Sequence, residues 1–166
     1  VVATVTFVDS FSLSSQDSLP RGIAFNTDGT KMFVVGGGGD EVNEYTLTTG
    51  FDVSTASYSQ RLSVNAQDNN PSGIAFNTNG TKMFVTGMTG KDVNEYTLTT
   101  GFDVSTASFV DAFALTKGEK PRGVGFNTDG TKMFIVDPDD DEVVEYALTS
   151  GFDVSTASYS QKISVI

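Results

Sequence analysis

One sequence unit is repeated three times along this chain, and the repetition limits the possible folds more than any other feature. The run Phe-Asn-Thr-(Asp/Asn)-Gly-Thr-Lys-Met-Phe begins at Phe25, Phe76 and Phe126. The run Gly-Phe-Asp-Val-Ser-Thr-Ala-Ser follows each copy, at Gly50–Ser57, Gly101–Ser108 and Gly151–Ser158. A fixed period of about 50 residues indicates one supersecondary unit whose apolar face is covered by the next copy.

The composition favours an all-β chain. Valine, threonine, phenylalanine and tyrosine are frequent, 17 glycines are available for turns, and no long helical pattern occurs. The second unit reads as four strands, at Gly73–Asn77, Lys82–Gly87, Asp92–Thr99 and Phe109–Leu115, with a hairpin turn at 78–81. Four antiparallel strands repeated in tandem predict the blades of a β-propeller.

The same interpretation divides the chain into one repeat domain, 1–166, with three blades. The blades are expected at residues 20–64, 71–115 and 121–165. An additional fourth strand is expected at residues 4–14, because Val5–Leu13 resembles Phe109–Leu115. No blade precedes this strand in the sequence, so its pairing partner is not predicted.

The repeat resembles those of a known group of propellers. Pro20–Val35 is similar to the YVTN-type and NHL-type repeats, in which a Pro-x-Gly strand precedes an Asp-Gly hairpin and an aromatic-Val strand. Val42–Gly50 resembles the third strand of those repeats. The Phe-Asp-Val-Ser-Thr-Ala-Ser insertion is more similar to tandem repeats of phage and marine bacterial surface proteins. The resemblance implies a propeller fold and brings no catalytic residue with it.

Three blades are fewer than the roughly 4–8 of known propellers, so the end blades would expose apolar faces. The simplest solution is a homodimer in which two chains close a six-bladed ring. The alternatives are folds that close with three units in one chain, a β-trefoil or a β-prism.

Candidate binding residues lie in the connections that differ among the copies. In a propeller, the loop between strands two and three and the loop between blades lie on the same rim. These loops vary here, whereas the other connections are nearly identical, as expected of binding loops on a rigid scaffold. The candidates for ligand binding at this rim and the channel mouth are Arg21, Ser72, Arg122, Asp40 and Lys91.

The densest charge cluster is a candidate metal site. Asp137, Asp139 and Asp141 alternate along one turn, and carboxylate oxygens suit Ca²⁺, which needs ~6–8 oxygen ligands. The spacing does not fit an EF-hand loop, because Glu142 stands where glycine is required. A solvated acidic turn is the competing explanation. No other cofactor is indicated.

The glutamates of the third strands, Glu44, Glu95 and Glu145, recur in every unit. Antiparallel pairing is expected to place Glu44 beside Arg61 and Glu145 beside Lys162, which indicates structural ion pairs rather than catalysis.

Charge and missing residue types exclude several functions. A net charge of −11 argues against nucleic acid, and the apolar runs are too short for membrane insertion. The chain has no histidine and no cysteine, so Ser-His-Asp and Cys-His catalysis is excluded.

These observations predict a non-catalytic structural or ligand-binding propeller module that assembles as a homodimer, with a carbohydrate or protein ligand. The expected location is extracellular, on a cell surface or on a virion. The alternative is a metal-dependent hydrolase similar to lactonase propellers. A third interpretation is a piece of a longer repeat array, or an engineered repeat protein, without activity of its own.

Overall fold

The computed structural model describes residues 6–118 and 120–164, and it contains three four-stranded antiparallel sheets. The first sheet has strands β1 to β4, at Pro20–Phe25, Lys31–Gly36, Glu41–Leu47 and Ala56–Ser63. The second has β5 to β8, at Pro71–Phe76, Lys82–Gly87, Asp92–Leu98 and Ala107–Ala114. The third has β9 to β12, at Gly123–Phe126, Lys132–Asp137, Glu142–Leu148 and Ala157–Ser164. This architecture confirms the predicted three propeller blades.

The strands of each blade follow chain order from one edge of the sheet to the other. The first strands of adjacent blades contact each other, so β1, β5 and β9 are the inner strands that line the axis. Glycines make this approach possible. A Cβ on Gly22 would lie 2.8 Å from the Ser72 carbonyl oxygen, and one on Gly73 would lie 2.9 Å from the Gly123 Cα.

The two nearly identical runs of the repeat meet at the opposite face. Gly80, in the first hairpin of the second blade, has a φ of +72°, and the ring of Phe102 lies directly against it. Phe102 itself has a φ of 57°, which is uncommon for a residue with a side chain. A short 3₁₀ turn, Val104–Thr106, follows, and the Asp103 side chain accepts a hydrogen bond from the Ser105 N–H. The other blades repeat this arrangement.

Two apolar cores lie between the blades. Phe33, Val35 and Val42 of the first blade pack against the second blade around Met83 and Tyr96. The equivalent set on the second blade packs against the third in the same way. The second blade therefore buries one face against the first blade and the other against the third, as the repeat predicts.

The segment before the first blade covers that blade's outer face without forming a strand. Residues 6–13 have no strand assignment, and residues 4 and 5 of the predicted strand lie outside the described residues. Phe11 and Leu13 pack on a core of Met32, Val34, Tyr45 and Leu47. The predicted fourth strand is therefore absent from residues 6–13, because the backbone there has no adjacent third strand with which to pair.

The pairing of the outer strands differs by one residue from the predicted pairing. Glu44 lies opposite Gln60 rather than Arg61, and Glu145 lies opposite Gln161 rather than Lys162. A bulge after each glutamate shifts the register. The glutamates pair instead with lysines of the second strands, as in the 2.8 Å contact between Lys31 Nζ and Glu44 Oε1.

No helix in the described part of the chain has the length and apolar character needed to cross a membrane.

Candidate functional site

The connections that vary among the copies lie together at one face, which we call the varied rim. It comprises the loops 14–19, 36–40, 65–70, 87–91, 116–120 and 137–141, with residue 119 outside the described residues. In the second blade, Asp68 bonds the backbone N–H groups of both Asn70 and Gly90, which joins the 65–70 loop to the 87–91 loop. The structure therefore brings the predicted variable loops into contact within each blade.

A buried carboxylate joins the two rim loops in every blade. Asp17 bonds the N–H groups of Leu19 and Gly38, and Asp137 bonds those of Lys120 and Asp139. Asp17, Asp68 and Asp137 are all nearly inaccessible to solvent. Asp137, one of the predicted metal ligands, thus accepts backbone hydrogen bonds that hold the two loops together.

The third blade provides this carboxylate from a different position. Gly118 stands where the other units have Asp17 and Asp68, and Asp137 stands where they have Gly36 and Gly87. A Cβ on Gly36 or Gly87 would overlap the neighbouring carboxylate. When one position carries the aspartate, the other therefore carries glycine, because only one side chain fits between the loops.

Two of the three predicted residues that follow the opening prolines form hydrogen bonds between blades. The Arg21 guanidinium donates to the Asn70 side-chain carbonyl and to the Pro71 carbonyl, the latter at 3.1 Å. The Ser72 hydroxyl, which is fully buried, donates to the Pro121 carbonyl at 2.6 Å. Arg122 occupies the same position in the third blade and is exposed. Arg21 is exposed to solvent, whereas Ser72 is buried.

Asp40 and Lys91 occupy the same turn position as Asp141. All three have positive φ, at 53°, 53° and 52°. The Asp40 carbonyl accepts from the Val64 N–H, and the Lys91 carbonyl accepts from the Leu115 N–H, each at 2.9 Å. Their backbones fix the end of the fourth strand, and ligand binding by these residues stays a prediction.

The acidic turn lines a cleft of about 430 Å³ on the rim of the third blade, among Lys117, Lys120 and Lys162. Lys120 forms an ion pair with Asp139, and Lys162 forms one with Glu142. Within residues 6–118 and 120–164, no group of three or more acidic side chains has the geometry of a metal site. Ca²⁺ binding at Asp137, Asp139 and Asp141 stays a prediction.

The sequence interpretation missed a carboxyl group with unusual electrostatics, Asp92, which begins β7 on the varied rim. The Asn94 side-chain amide donates to it at 2.8 Å. Burial raises the pKa of Asp92 to about 6, and the nearby charge of Asp68 acts in the same direction.

The copies show why Asp92 differs. Glu41 pairs with Arg61 at 3.2 Å in the first blade, and Glu142 pairs with Lys162 in the third. At the position of Arg61 and Lys162, the second blade has Ala112. Comparison of the three copies at this position could have identified Asp92 as a carboxylate without its ion-pair partner.

Hydrogen bonds connect the loop beside Asp92 to Arg21 of the first blade. Arg21 donates to Asn70, whose backbone N–H donates to Asp68, and Asp68 also accepts from the N–H of Gly90, two residues before Asp92. The junction of the first two blades thus carries an exposed guanidinium and a carboxyl group whose pKa burial raises to about 6. Such a pair can orient an anionic group and accept a proton.

Solved structures with a similar fold are β-propellers. A putative 6-phosphogluconolactonase from Bacteroides fragilis is 18% identical with a TM-score of 0.61, over 88% of this chain and 39% of that chain. A periplasmic gluconolactonase from Pseudomonas aeruginosa is 15% identical with a TM-score of 0.56, over 87% and 38%. A β-propeller domain from Myceliophteria thermophila is 9% identical with a TM-score of 0.57, over 88% and 43%.

No protein-family model and no curated protein matches this chain. The likeness to the solved structures establishes the propeller fold, and the chain spans about two fifths of their length.

The comparisons correct the prediction of function. The sequence predicted a non-catalytic module and no enzyme, because it lacks histidine, cysteine and a recognisable catalytic motif. Several of the similar propellers are named as lactonases, which contradicts that prediction and favours the hydrolase alternative. Histidine and cysteine are not required for a hydrolysis in which a carboxylate activates water.

Proposed function

We propose that this chain forms part of a propeller that hydrolyses the lactone of a sugar acid, at the varied rim between the first and second blades. The observation that carries the proposal is Asp92, a carboxyl group that forms no ion pair among the described residues, on a fold shared with proteins named as lactonases. Neutral-pH ester hydrolysis needs a base of this kind near the reacting water.

Asp92 acts as the general base in this proposal. Its carboxylate takes a proton from water while the water oxygen bonds to the lactone carbonyl carbon. The bond between that carbon and the ring oxygen then breaks, and the ring oxygen receives the proton from Asp92. The products balance as one hydroxy acid from one lactone and one water, and Asp92 returns to its ionised form.

Arg21 binds the anionic group of the substrate in this proposal. Its guanidinium is exposed at the channel mouth and can form a bidentate contact with a phosphate or carboxylate. A 6-phosphogluconolactone would use this contact, and an unphosphorylated gluconolactone would not. The proposal also includes two expectations from the sequence. The repeats are of the YVTN or NHL type, and the protein is located outside the cytoplasm.

The activity is tested by following the disappearance of gluconolactone and 6-phosphogluconolactone at pH 6.5 with hydroxylamine, which traps the remaining lactone. We expect hydrolysis above the spontaneous rate, and Arg21→Ala should raise KM for the phosphorylated lactone alone. A rate equal to the spontaneous rate with both lactones would overturn the proposed function.

The role of Asp92 is tested separately with Asp92→Asn, which we expect to lower kcat by 10²-fold or more. Asp111→Asn, an exposed aspartate on β8, is the matched control and should leave kcat unchanged. The rate of the unmodified protein should fall as the pH drops below about 6, because the base becomes protonated. An active protein whose rate is insensitive to Asp92→Asn would remove Asp92 from the mechanism and leave the activity intact.

A further inference from the structure

Both junctions between blades are held by the same polar contacts. A lysine–glutamate pair on one blade binds the backbone of the Gly-Phe-Asp-Val segment of the next blade, which we call the docking segment. Lys31 Nζ donates to the Phe102 carbonyl at 2.7 Å, and Glu44 accepts from the Val104 N–H at 3.1 Å.

The second junction repeats these contacts with nearly the same geometry. Lys82 Nζ donates to the Phe152 carbonyl at 2.6 Å, and Glu95 accepts from the Val154 N–H at 3.0 Å. Val104 and Val154 are fully buried by the contact. The lysine–glutamate pair and the docking segment thus form a repeated, directional interface.

The third blade carries this binding surface with no blade on it. Lys132 and Glu145 form the same ion pair, at 3.1 Å. Beside them lies a groove of about 180 Å³ lined by Phe134, Val143 and Ile163. Val136 and Ile163 are 46% and 61% exposed, whereas Val35, at the position of Val136 in the first blade, is fully buried.

The inner strand of the third blade is also open. A Cβ on Gly73 would meet the next blade at 2.9 Å, but a Cβ on Gly123 would have no neighbour within 4 Å. Arg21 and Ser72 each donate to the proline carbonyl of the following blade. No such contact forms for the Arg122 guanidinium among the described residues. The third blade therefore has the inner-strand glycine and the arginine that face a following blade, but no following blade contacts them among the described residues.

The first blade carries that counterpart. Phe25 and Phe51 lie with ring centroids 5.5 Å apart, as Phe76 and Phe102 do at 5.3 Å. In the inner junction, Phe33 of the preceding blade stacks on that pair. Phe51 is 60% exposed, so the docking segment of the first blade (residues 50–53) can be reached.

We propose that the third blade of this protein binds the docking segment of a second copy, so that two chains close a six-bladed ring. Lys132 and Glu145 hold the Phe51 carbonyl and the Val53 N–H of that copy, and Phe134 stacks on its Phe25–Phe51 pair. A two-fold dimer satisfies both open ends with identical contacts. This inference is independent of the proposed hydrolysis.

The dimer requires that residues 6–13 move. Phe11 stacks edge-on against Tyr45 at 5.6 Å and 78°, and Phe113 stacks against Tyr146 at 5.2 Å and 79°. Phe11 therefore occupies the place that Ile163 of the second copy takes in the ring. β12 carries Ile163 on a complete ladder with β11, whereas residues 6–13 form no strand, so β12 displaces them.

The test is the mass of the full chain by light scattering and sedimentation from about 1 to 500 μM. We expect a dimer of twice 17.6 kDa. Val136→Asp should raise the dissociation constant of this dimer by 100-fold or more. Val110→Asp is the control, because Val110 is 53% exposed on the second blade, away from the junction. A monomer throughout this range, or equal effects of the two variants, would overturn the proposal.

Two further variants keep the test informative if Val136→Asp unfolds the protein. Gly123→Ala should prevent dimerisation while the monomer remains folded, because its Cβ has free space only in the monomer. Phe11→Ser should strengthen the dimer by roughly ten-fold, since it weakens the segment that competes with β12. A dimer that tolerates Gly123→Ala and weakens with Phe11→Ser would contradict the proposed arrangement.

Discussion

At the scale of single residues, the varied rim depends on where a carboxylate lies rather than on which residue provides it. Asp68 and Asp137 come from different loops, yet each accepts two backbone N–H groups from the two rim loops of its blade. A buried N–H without a partner is costly, so this position needs an acceptor in every copy. Asp137 therefore has a structural role that its acidic neighbours do not share.

We expect Asp137→Ala to lower the free energy of unfolding by about 1–3 kcal/mol, because the N–H groups of Lys120 and Asp139 lose their acceptor. Asp140→Ala, in the same turn but exposed, should change the free energy little. Urea unfolding followed by tyrosine fluorescence measures both. Equal destabilisation by the two variants would show that the turn's charge, not this pair of bonds, is what matters.

The pH dependence of stability gives a further test of Asp92. The pKa of Asp92 rises from 3.8 to about 6 on folding. Between these two pH values the native state therefore holds a proton that the unfolded state has released. Stability is therefore lost as the pH rises through about 6. We expect Asp92→Asn to remove this loss in urea unfolding at pH 4–7. A pH profile unchanged by the substitution would contradict the shifted pKa.

At the scale of elements, the invariant face is built from a hairpin and a phenylalanine that cover each other. Gly80 provides the positive φ of the hairpin, and Phe102 packs against the position where a Cβ would stand. The Phe102 carbonyl then binds Lys31 of the preceding blade. One unit thus shapes its own turn and binds its neighbour with the same residue, which explains why both runs recur together.

Gly80→Ala should lower the free energy of unfolding by roughly 2–4 kcal/mol, from the positive φ and the overlap with Phe102 together. Gly125→Ala is the matched control, because a Cβ there has no neighbour within 4 Å. Thermal unfolding by circular dichroism distinguishes the two. Similar melting temperatures for both variants would mean that the hairpin adapts to the added methyl group.

At the scale of the whole molecule, stability depends on contacts between neighbouring blades, as in other repeat proteins. The repeat offers an internal comparison. Glu95 is buried under the third blade, and Glu145 is the same residue in the blade that no other blade covers. The same substitution in these two places measures what the junction adds.

We expect Glu95→Ala to lower the free energy of unfolding by about 2–4 kcal/mol, since it leaves Lys82 without its carboxylate partner and the Val154 N–H without an acceptor. Glu145→Ala should have a smaller effect at concentrations low enough for the proposed dimer to dissociate. Raising the concentration should increase the effect of Glu145→Ala if the ring closes. A concentration-independent difference would argue against closure.

The sequence by itself predicted three four-stranded blades, since strand alternation, hairpin turns and a repeat of fixed length are local properties, but it left a β-trefoil or a β-prism open. It also indicated that the variable loops share one rim. It did not determine the Glu44 pairing, because a one-residue bulge changes every cross-strand neighbour. Nor did it reveal the shared role of Asp68 and Asp137, which come from different loops.

Only the tertiary structure decided which charges are buried and which blade faces are covered. The raised pKa of Asp92 depends on burial and on Asp68, which is distant in sequence. The sequence of the third blade is nearly the same as that of the second, yet Glu95 is buried and Glu145 has no blade over it. Identical residues differ there because burial depends on the neighbouring blade, and a repeat does not encode its own neighbours.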